Sequence, residues 1–339
     1  MEANEAVLVE RPCTADALRL VATKLPPPRP SEAQIRIEAA GVAYADIALR
    51  RGVYPGAALP AVLGYDLVGR VEALGSDGFS ELRVGDRVVA VTVTGGYARR
   101  ANVETRLLAR APEGVEAAKL AAIALNGLTA WQMVRRLAPP AAGEFMLVHG
   151  AAGGAGALLL DIGRDAGAQM IGTVSAGKRG VVTARGAAAI DYRAEDFVAR
   201  ARALSGGGVV AAFDHVGGAH LKRSLRALRA GGVAVSYGFY NATRGGRVRP
   251  LSYLGTRLSS GVDAFALFKA GASLATYNIQ SWRDARPLAY AEDLAAVIAA
   301  VAAGRIDPEI ADTLPLERAG EAHRKLESAA IAGKLVLLC

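Results

Sequence analysis

Between positions 149 and 156 the chain reads His149-Gly150-Ala151-Ala152-Gly153-Gly154-Ala155-Gly156. In a G-x-G-x-x-G frame Ala151 stands at the first glycine position, while Gly153 and Gly156 keep the other two. Such a loop binds anions. Gly153 lets the backbone approach a pyrophosphate, Gly156 lets a helix pack close to a strand, and the first amides of that helix face the phosphates. Ala152, Gly153, Gly154 and Ala155 are therefore the candidate cradle; the alternative is a merely structural Gly/Ala turn. About 20 residues further on, an NAD site carries Asp or Glu for the ribose hydroxyls. Here the stretch reads Thr173-Val174-Ser175-Ala176-Gly177-Lys178-Arg179, with no acid. Ser175 and Lys178 offer a hydroxyl and a cation where a 2′-phosphate would lie, which favours NADPH over NADH. A plainer reading of Lys178 is a solvated residue at a helix start.

The elements that must position this loop alternate. Residues 145–150 (FMLVHG) form an apolar run before the loop, and a helix follows with Leu158, Leu159 and Ile162 on one face and Asp161, Arg164 and Asp165 on the other. Further strands are predicted at 170–174, 188–192, 209–214, 233–237 and 273–278, with helices about 178–185, 195–204 and 219–228. Strands alternating with helices imply parallel βαβ units, buried on both faces, in a doubly wound nucleotide-binding domain. The first 120 or so residues differ. Short β-like runs at 34–38, 67–73 and 87–93 are punctuated by Gly and Pro turns, as in a partly open antiparallel barrel. A helix at 293–303, a charged helix at 317–328 and a strand at 334–338 follow, and this tail is expected to fold back onto the first domain. The expected division is 1–123 with 284–339 as the substrate domain, and 124–283 as the NADPH domain.

At 339 residues and 52% hydrophobic composition the chain sustains a sizeable core. The net charge of +8 comes from dispersed arginines without a basic block, which argues against a nucleic-acid partner. No run approaches the roughly 18 apolar residues of a membrane span, and the N-terminus lacks the features of a secretory signal. Cytoplasm is the expected location. Cys13 and Cys339 form no metal-ligand spacing and no disulfide framework.

The segments AAGVAYAD, RRGVYP, LGYDLVGRVEALG, VGDRVVA, NGLTAWQ, HGAAGGAG, IGTVSAGK, AIDYRAEDF, FDHVGG and AGKLVLL together resemble the zinc-free quinone oxidoreductase branch of the medium-chain dehydrogenases/reductases, including vesicle-amine-transport-protein-like members and polyketide enoyl reductases. The resemblance runs from about Ala33 to Leu338. It implies an α/β chain with a Rossmann domain and a GroES-like barrel domain, commonly a homodimer. It also implies that Thr129 lies near the nicotinamide and that Tyr192 joins Ser175 and Lys178 around the 2′-phosphate. Val216, Gly238 and Phe239 would line the adenosine and nicotinamide ribose, with Lys334 a weaker candidate for a cofactor contact. Tyr192 as a strand cap and Phe239 as core are the plainer alternatives. Two departures matter. Many quinone reductases carry an asparagine where this chain has Ala43, and the zinc enzymes carry cysteine and histidine where it has Ala43 or Tyr44 and Tyr65. A catalytic zinc needs three such ligands, so no metal is expected.

The implied chemistry is hydride transfer from NADPH to a small-molecule acceptor, a quinone or an α,β-unsaturated carbonyl. The alternatives are a tailoring reductase acting on a carrier-bound intermediate and a non-catalytic NADPH-binding protein. Charge left on the substrate needs a donor. Tyr54 aligns with a tyrosine that related enoyl reductases place near substrate, and Tyr44 is a second candidate; packing against the turn at Pro55 is the plainer reading of Tyr54. Residues 240–268, with Arg244, Arg247 and Arg249, read either as a lid or as a solvated loop.

Overall fold

The run Phe145–His149 is buried along nearly its whole length because paired strands flank it on both sides. In the computed structural model, which describes residues 2–54, 57–77, 81–238 and 261–339, the chain divides into two compact units. One comprises Met1–Leu128 with Arg286–Cys339, the other Thr129–Ala285.

The second unit holds a six-stranded sheet in the order Ala188–Asp191, Gln169–Val174, Phe145–His149, Val209–Asp214, Leu228–Ser236, Ser273–Thr276, every neighbouring pair parallel. The first three strands in chain order run one way across the sheet from Phe145–His149 and the last three run the other way. The reversal lies between Phe145–His149 and Val209–Asp214, where a doubly wound sheet opens a crevice at its carboxyl ends. Leu147, Ile171, Ile190, Phe197, Ala212 and Leu221 interlock in its core. The helix predicted from residue 195 starts at Phe197, because Asp196 is its N-cap and accepts the Val198 amide at 2.9 Å. The helix predicted at 178–185 is a 3₁₀ turn, Ala176–Lys178, followed by Arg179–Thr183. Asp161, assigned above to a polar face, is buried: Arg185 closes over it with Nε 3.4 Å from the carboxylate.

In the first unit a seven-stranded sheet runs Ile310–Pro315, Lys334–Leu338, Glu32–Val42, Asp66–Leu74, Arg87–Val91, Leu108–Arg110, with Arg100–Glu104 also pairing Glu32–Val42. All pairings are antiparallel except that between Ile310–Pro315 and Lys334–Leu338. The 11-residue strand Glu32–Val42 serves three partners, and its register shifts bend it between them. A helix not read from sequence, Tyr44–Arg50, follows that strand directly. The helix predicted at 293–303 begins six residues earlier, at Pro287, whose ring suits a first helical position. Among the described residues no helix is long and apolar enough to cross a membrane.

Candidate functional site

Strand Phe145–His149 delivers the glycine loop to the reversal point of the sheet. Gly150 turns at φ +62°, and Gly153 then opens the helix Gly154–Asp165 from an extended conformation. Among the described residues no side chain caps that helix, which leaves its first amides for another acceptor. Gly153 is exposed and Gly154 and Ala155 are half-buried, while Ala152 is buried beneath them. Gly156 has a steric cause: a Cβ there would sit 2.2 Å from the Gly150 carbonyl oxygen. The departure at Ala151 is explained across the sheet. Its methyl group occupies space that a side chain at Gly172, on the neighbouring strand, would claim at 2.6 Å. This loop fits a pyrophosphate, by amides in front and close helix–strand packing behind.

Pairing of Val174 with Asp191 brings Ser175 and Tyr192 side by side at the carboxyl ends of their strands. The Tyr192 amide donates to the Val174 carbonyl at 3.2 Å, and its ring is exposed beneath the Arg193 guanidinium, 5.7 Å away. Lys178, half-buried, turns back so that its amide meets the Ser175 carbonyl at 2.9 Å. Burial, and then the charge of Arg193, lower the pKa of the Lys178 ammonium. Two cations that raise each other's energy are relieved by an anion. Arg193 is a residue the sequence reading missed; its only signal was its place after Tyr192 at the end of a strand.

The floor of the reversal point is His215. A Cβ on Gly150 would strike its ring at 2.6 Å, and one on Gly238 would meet its carbonyl oxygen at 3.0 Å. Val216 and Gly217 are held beside it by Asp214, whose Oδ1 accepts their amides at 2.8 and 2.9 Å. Oδ2 of Asp214 accepts from His220 Nδ1 at 2.7 Å and Ser224 Oγ at 2.6 Å. The other ring contacts of this cluster join His149 to Ser224 and Thr173 at 3.0 and 3.1 Å. Burial works to raise the Asp214 pKa, but the His220 hydrogen bond and the neighbouring imidazoles outweigh it and hold the carboxyl well below the usual range. Burial pushes His149 down to about 3. His149, Asp214 and His220 bring donor atoms within 4.8 Å of one another, yet each of those side chains is already hydrogen-bonded within the protein. Thr129 is buried in the helix Ala117–Gln132. Phe239 and Arg244, Arg247 and Arg249 lie outside the described residues.

In the first unit the hydroxyls of Tyr54 and Tyr65 are 2.7 Å apart, with the rings edge to face at 5.7 Å. Tyr44 is exposed at the start of helix Tyr44–Arg50, and its hydroxyl donates to the Leu326 carbonyl at 3.0 Å. Ala43, just ahead, donates its amide to Asp46 Oδ2 at 2.8 Å, while Asp46 Oδ1 takes the Gly64 amide at 3.2 Å. Burial pushes the Asp46 carboxyl up to about 7 despite those donors. Lys334 is buried on its strand with Nζ 3.7 Å from Asp66 Oδ2, and neither of these two atoms has a hydrogen-bond partner among the described residues. Where the resemblance implies cysteine and histidine in the zinc enzymes, this chain presents the Ala43 methyl group or the Tyr44 phenol, and the Tyr65 phenol, both phenols hydrogen-bonded.

Residues 29–115 match the family model described as an alcohol dehydrogenase GroES-like domain, and residues 186–337 match that of a zinc-binding dehydrogenase. A probable quinone oxidoreductase of Schizosaccharomyces pombe is 32% identical over 339 residues, covering 99% of this chain and 97% of its own. The crystal structure of Escherichia coli quinone oxidoreductase complexed with NADPH superposes with a TM-score of 0.87 at 29% identity, over 99% of this chain and 100% of that one. A mycobacterial protein, also solved with NADPH, gives 0.86 at 31% identity over 99% and 100%. With that whole-length likeness, and with non-ligand side chains at positions 43, 44 and 65, the chain belongs to the zinc-free quinone oxidoreductase branch of the medium-chain dehydrogenases/reductases.

Proposed function

We propose that this oxidoreductase takes NADPH and reduces a quinone or an α,β-unsaturated carbonyl compound. The observation that carries the cofactor choice is the pairing of Lys178 with the Arg193 charge beside Ser175 and Tyr192, with no carboxylate in the corresponding stretch. When bound, the cofactor supplies a hydride. The chain's own residues do the rest. The amides of Gly154 and Ala155 would face the pyrophosphate, that of Gly153 being taken by the Gly150 carbonyl at 2.9 Å, and Asp214, which fixes the Val216–Gly217 backbone, would set it toward the ribose. Thr129 is assigned to the nicotinamide and Gly238 to the ribose, as is Phe239, which lies outside the described residues; Lys334, held beside Asp66, is a weaker candidate for a cofactor contact. Tyr54 gives a proton to the oxygen on which hydride addition leaves negative charge; Tyr44 spends its hydroxyl hydrogen on Leu326 and lines the substrate instead.

Homodimer formation through the outer edge of the parallel sheet is part of this reading. Its edge strand Ser273–Thr276 is only partly covered, and Phe265 and Phe268 stand 70% and 81% exposed just before it. Light scattering of the purified protein reads the mass directly.

The functional test is NADPH consumption, followed by its near-ultraviolet absorbance, with a quinone, an enal and an enoyl thioester as parallel acceptors and NADH as control. Oxidation of NADPH by the quinone or the enal, with little from NADH, is the expected result. Turnover of the thioester alone moves the assignment to carrier-bound intermediates. Tight NADPH binding with no oxidation by any acceptor would instead leave a binding protein.

A further inference from the structure

The segment that carries Tyr65 is fixed from several sides. Gly64, at φ +102°, packs so tightly that a Cβ would lie 2.3 Å from the Tyr97 amide nitrogen, and its own amide is taken by Asp46. The Tyr65 carbonyl accepts the amides of Thr92 and Val93 at 2.9 and 3.0 Å. Val93 sits at φ 80°, a conformation a β-branched residue adopts only when its surroundings impose it. On the far side the Asp66 carboxylate holds the Gly41 amide at 2.6 Å. Burying an aromatic ring needs none of this. The restraint fixes where the ring ends, and the ring ends at the Tyr54 hydroxyl.

Two hydroxyls 2.7 Å apart share one hydrogen between them and direct the other away from the pair. Burial decides which phenol donates. Tyr65 is 2% exposed and Tyr54 half-buried, so charge is far costlier on Tyr65, which keeps its proton. We propose that Tyr65 is a positioning residue for Tyr54: its O–H donates to the Tyr54 oxygen, turns the Tyr54 hydrogen outward, and steadies the phenolate left behind. This rests on the reading of Tyr54 as proton donor. In the step itself, hydride addition places an electron pair on the acceptor oxygen. The Tyr54 O–H bond breaks and its proton forms the product O–H bond. The electron pair remains on the Tyr54 oxygen, hydrogen-bonded by Tyr65, until water returns a proton.

The test is a double-mutant cycle with Tyr54→Phe, Tyr65→Phe and the pair, assayed on whichever acceptor of the panel above turns over best. Tyr65→Phe lowers kcat about tenfold to hundredfold with KM little changed, the worth of a hydrogen bond to a charged oxygen. The basic limb of the kcat–pH profile, where Tyr54 loses its proton, moves upward by about one unit or more. In the Tyr54→Phe background the same change costs little. Equal losses in both backgrounds, or an unmoved basic limb, overturn the proposal while leaving Tyr54 in place. Full turnover by Tyr54→Phe overturns the Tyr54 reading itself. A readout independent of turnover is tyrosinate absorbance on alkaline titration, taken as the difference between each protein and its Tyr54→Phe counterpart. The Tyr54 component titrates at lower pH with Tyr65 present than with Phe; identical midpoints refute the proposal.

Discussion

His220 donates Nδ1–H to Oδ2 of Asp214 at 2.7 Å, and the opposite oxygen of the same carboxylate holds the Val216 and Gly217 amides. A buried carboxylate paired with a half-buried imidazole thereby governs the backbone assigned to the ribose. Asp214→Asn removes the charge that these donors share. NADPH dissociation constants measured by fluorescence should rise about tenfold or more, and stability should fall by about 1.5–3 kcal/mol. The pH dependence has a definite sign. Because folding depresses the Asp214 pKa, its contribution is present above the unfolded value, about 3.9, and is lost as pH falls through the folded one. Urea titrations of the variant below about pH 4 should therefore show a shallower acid loss than wild type.

Asp46 has the opposite sign. Its pKa is raised to about 7 by burial, so the stability it contributes is fully present below the unfolded pKa of about 3.9 and is lost as pH rises through the folded one. Asp46→Asn should flatten the stability–pH curve across that window. A curve of unchanged slope would show that the carboxylate is ionised throughout, carried by the Ala43 and Gly64 amides.

For the 2′-phosphate, Lys178→Ala and Arg193→Ala should each raise the NADPH dissociation constant about tenfold to hundredfold, with NADH binding nearly unchanged. The loss should shrink in concentrated salt, since both cations are partly exposed. Equal loss for both cofactors would point to damage of the fold rather than of phosphate recognition.

Gly156→Ala and Gly177→Ala form a matched pair. A methyl group at 156 would press on the Gly150 carbonyl at 2.2 Å, whereas one at 177 meets nothing within 4 Å among the described residues. The first should cost about 1–3 kcal/mol of stability together with cofactor binding. The second should leave both within about 0.5 kcal/mol of wild type. Thermal unfolding with and without NADPH distinguishes them.

The parallel sheet was readable because a strand covered on both faces must be a continuous apolar run, and Phe145–His149 and Val209–Asp214 are such runs. The glycine loop was readable because its spacing is local. Helix Tyr44–Arg50 was not: it is short, and Ala43 ahead of it carries no capping side chain, Asp46 reaching back to serve instead. Helix Pro287–Ala302 carries its start signal in Pro287, six residues ahead of the apolar stretch that predicts it. The Asp214, His149, His220 and Ser224 cluster joins residues up to 75 positions apart, and no periodicity along one element encodes such a meeting. Tyr54 and Tyr65 stand only 11 positions apart, but the backbone that aims Tyr65 is held through Gly64, Asp66 and a strained Val93, which composition does not reveal.

The pairing of Lys334–Leu338 with Glu32–Val42 also orders events during synthesis. Chains emerge from the ribosome N-terminus first, and domains fold as units when their parts are available. The six strands of the parallel sheet are complete once Thr276 has appeared. The sheet that contains Glu32–Val42, begun some 300 residues earlier, waits for Lys334–Leu338 to appear. The nucleotide-binding unit therefore has its whole sheet before the unit bearing Tyr54 has the last strand of its own.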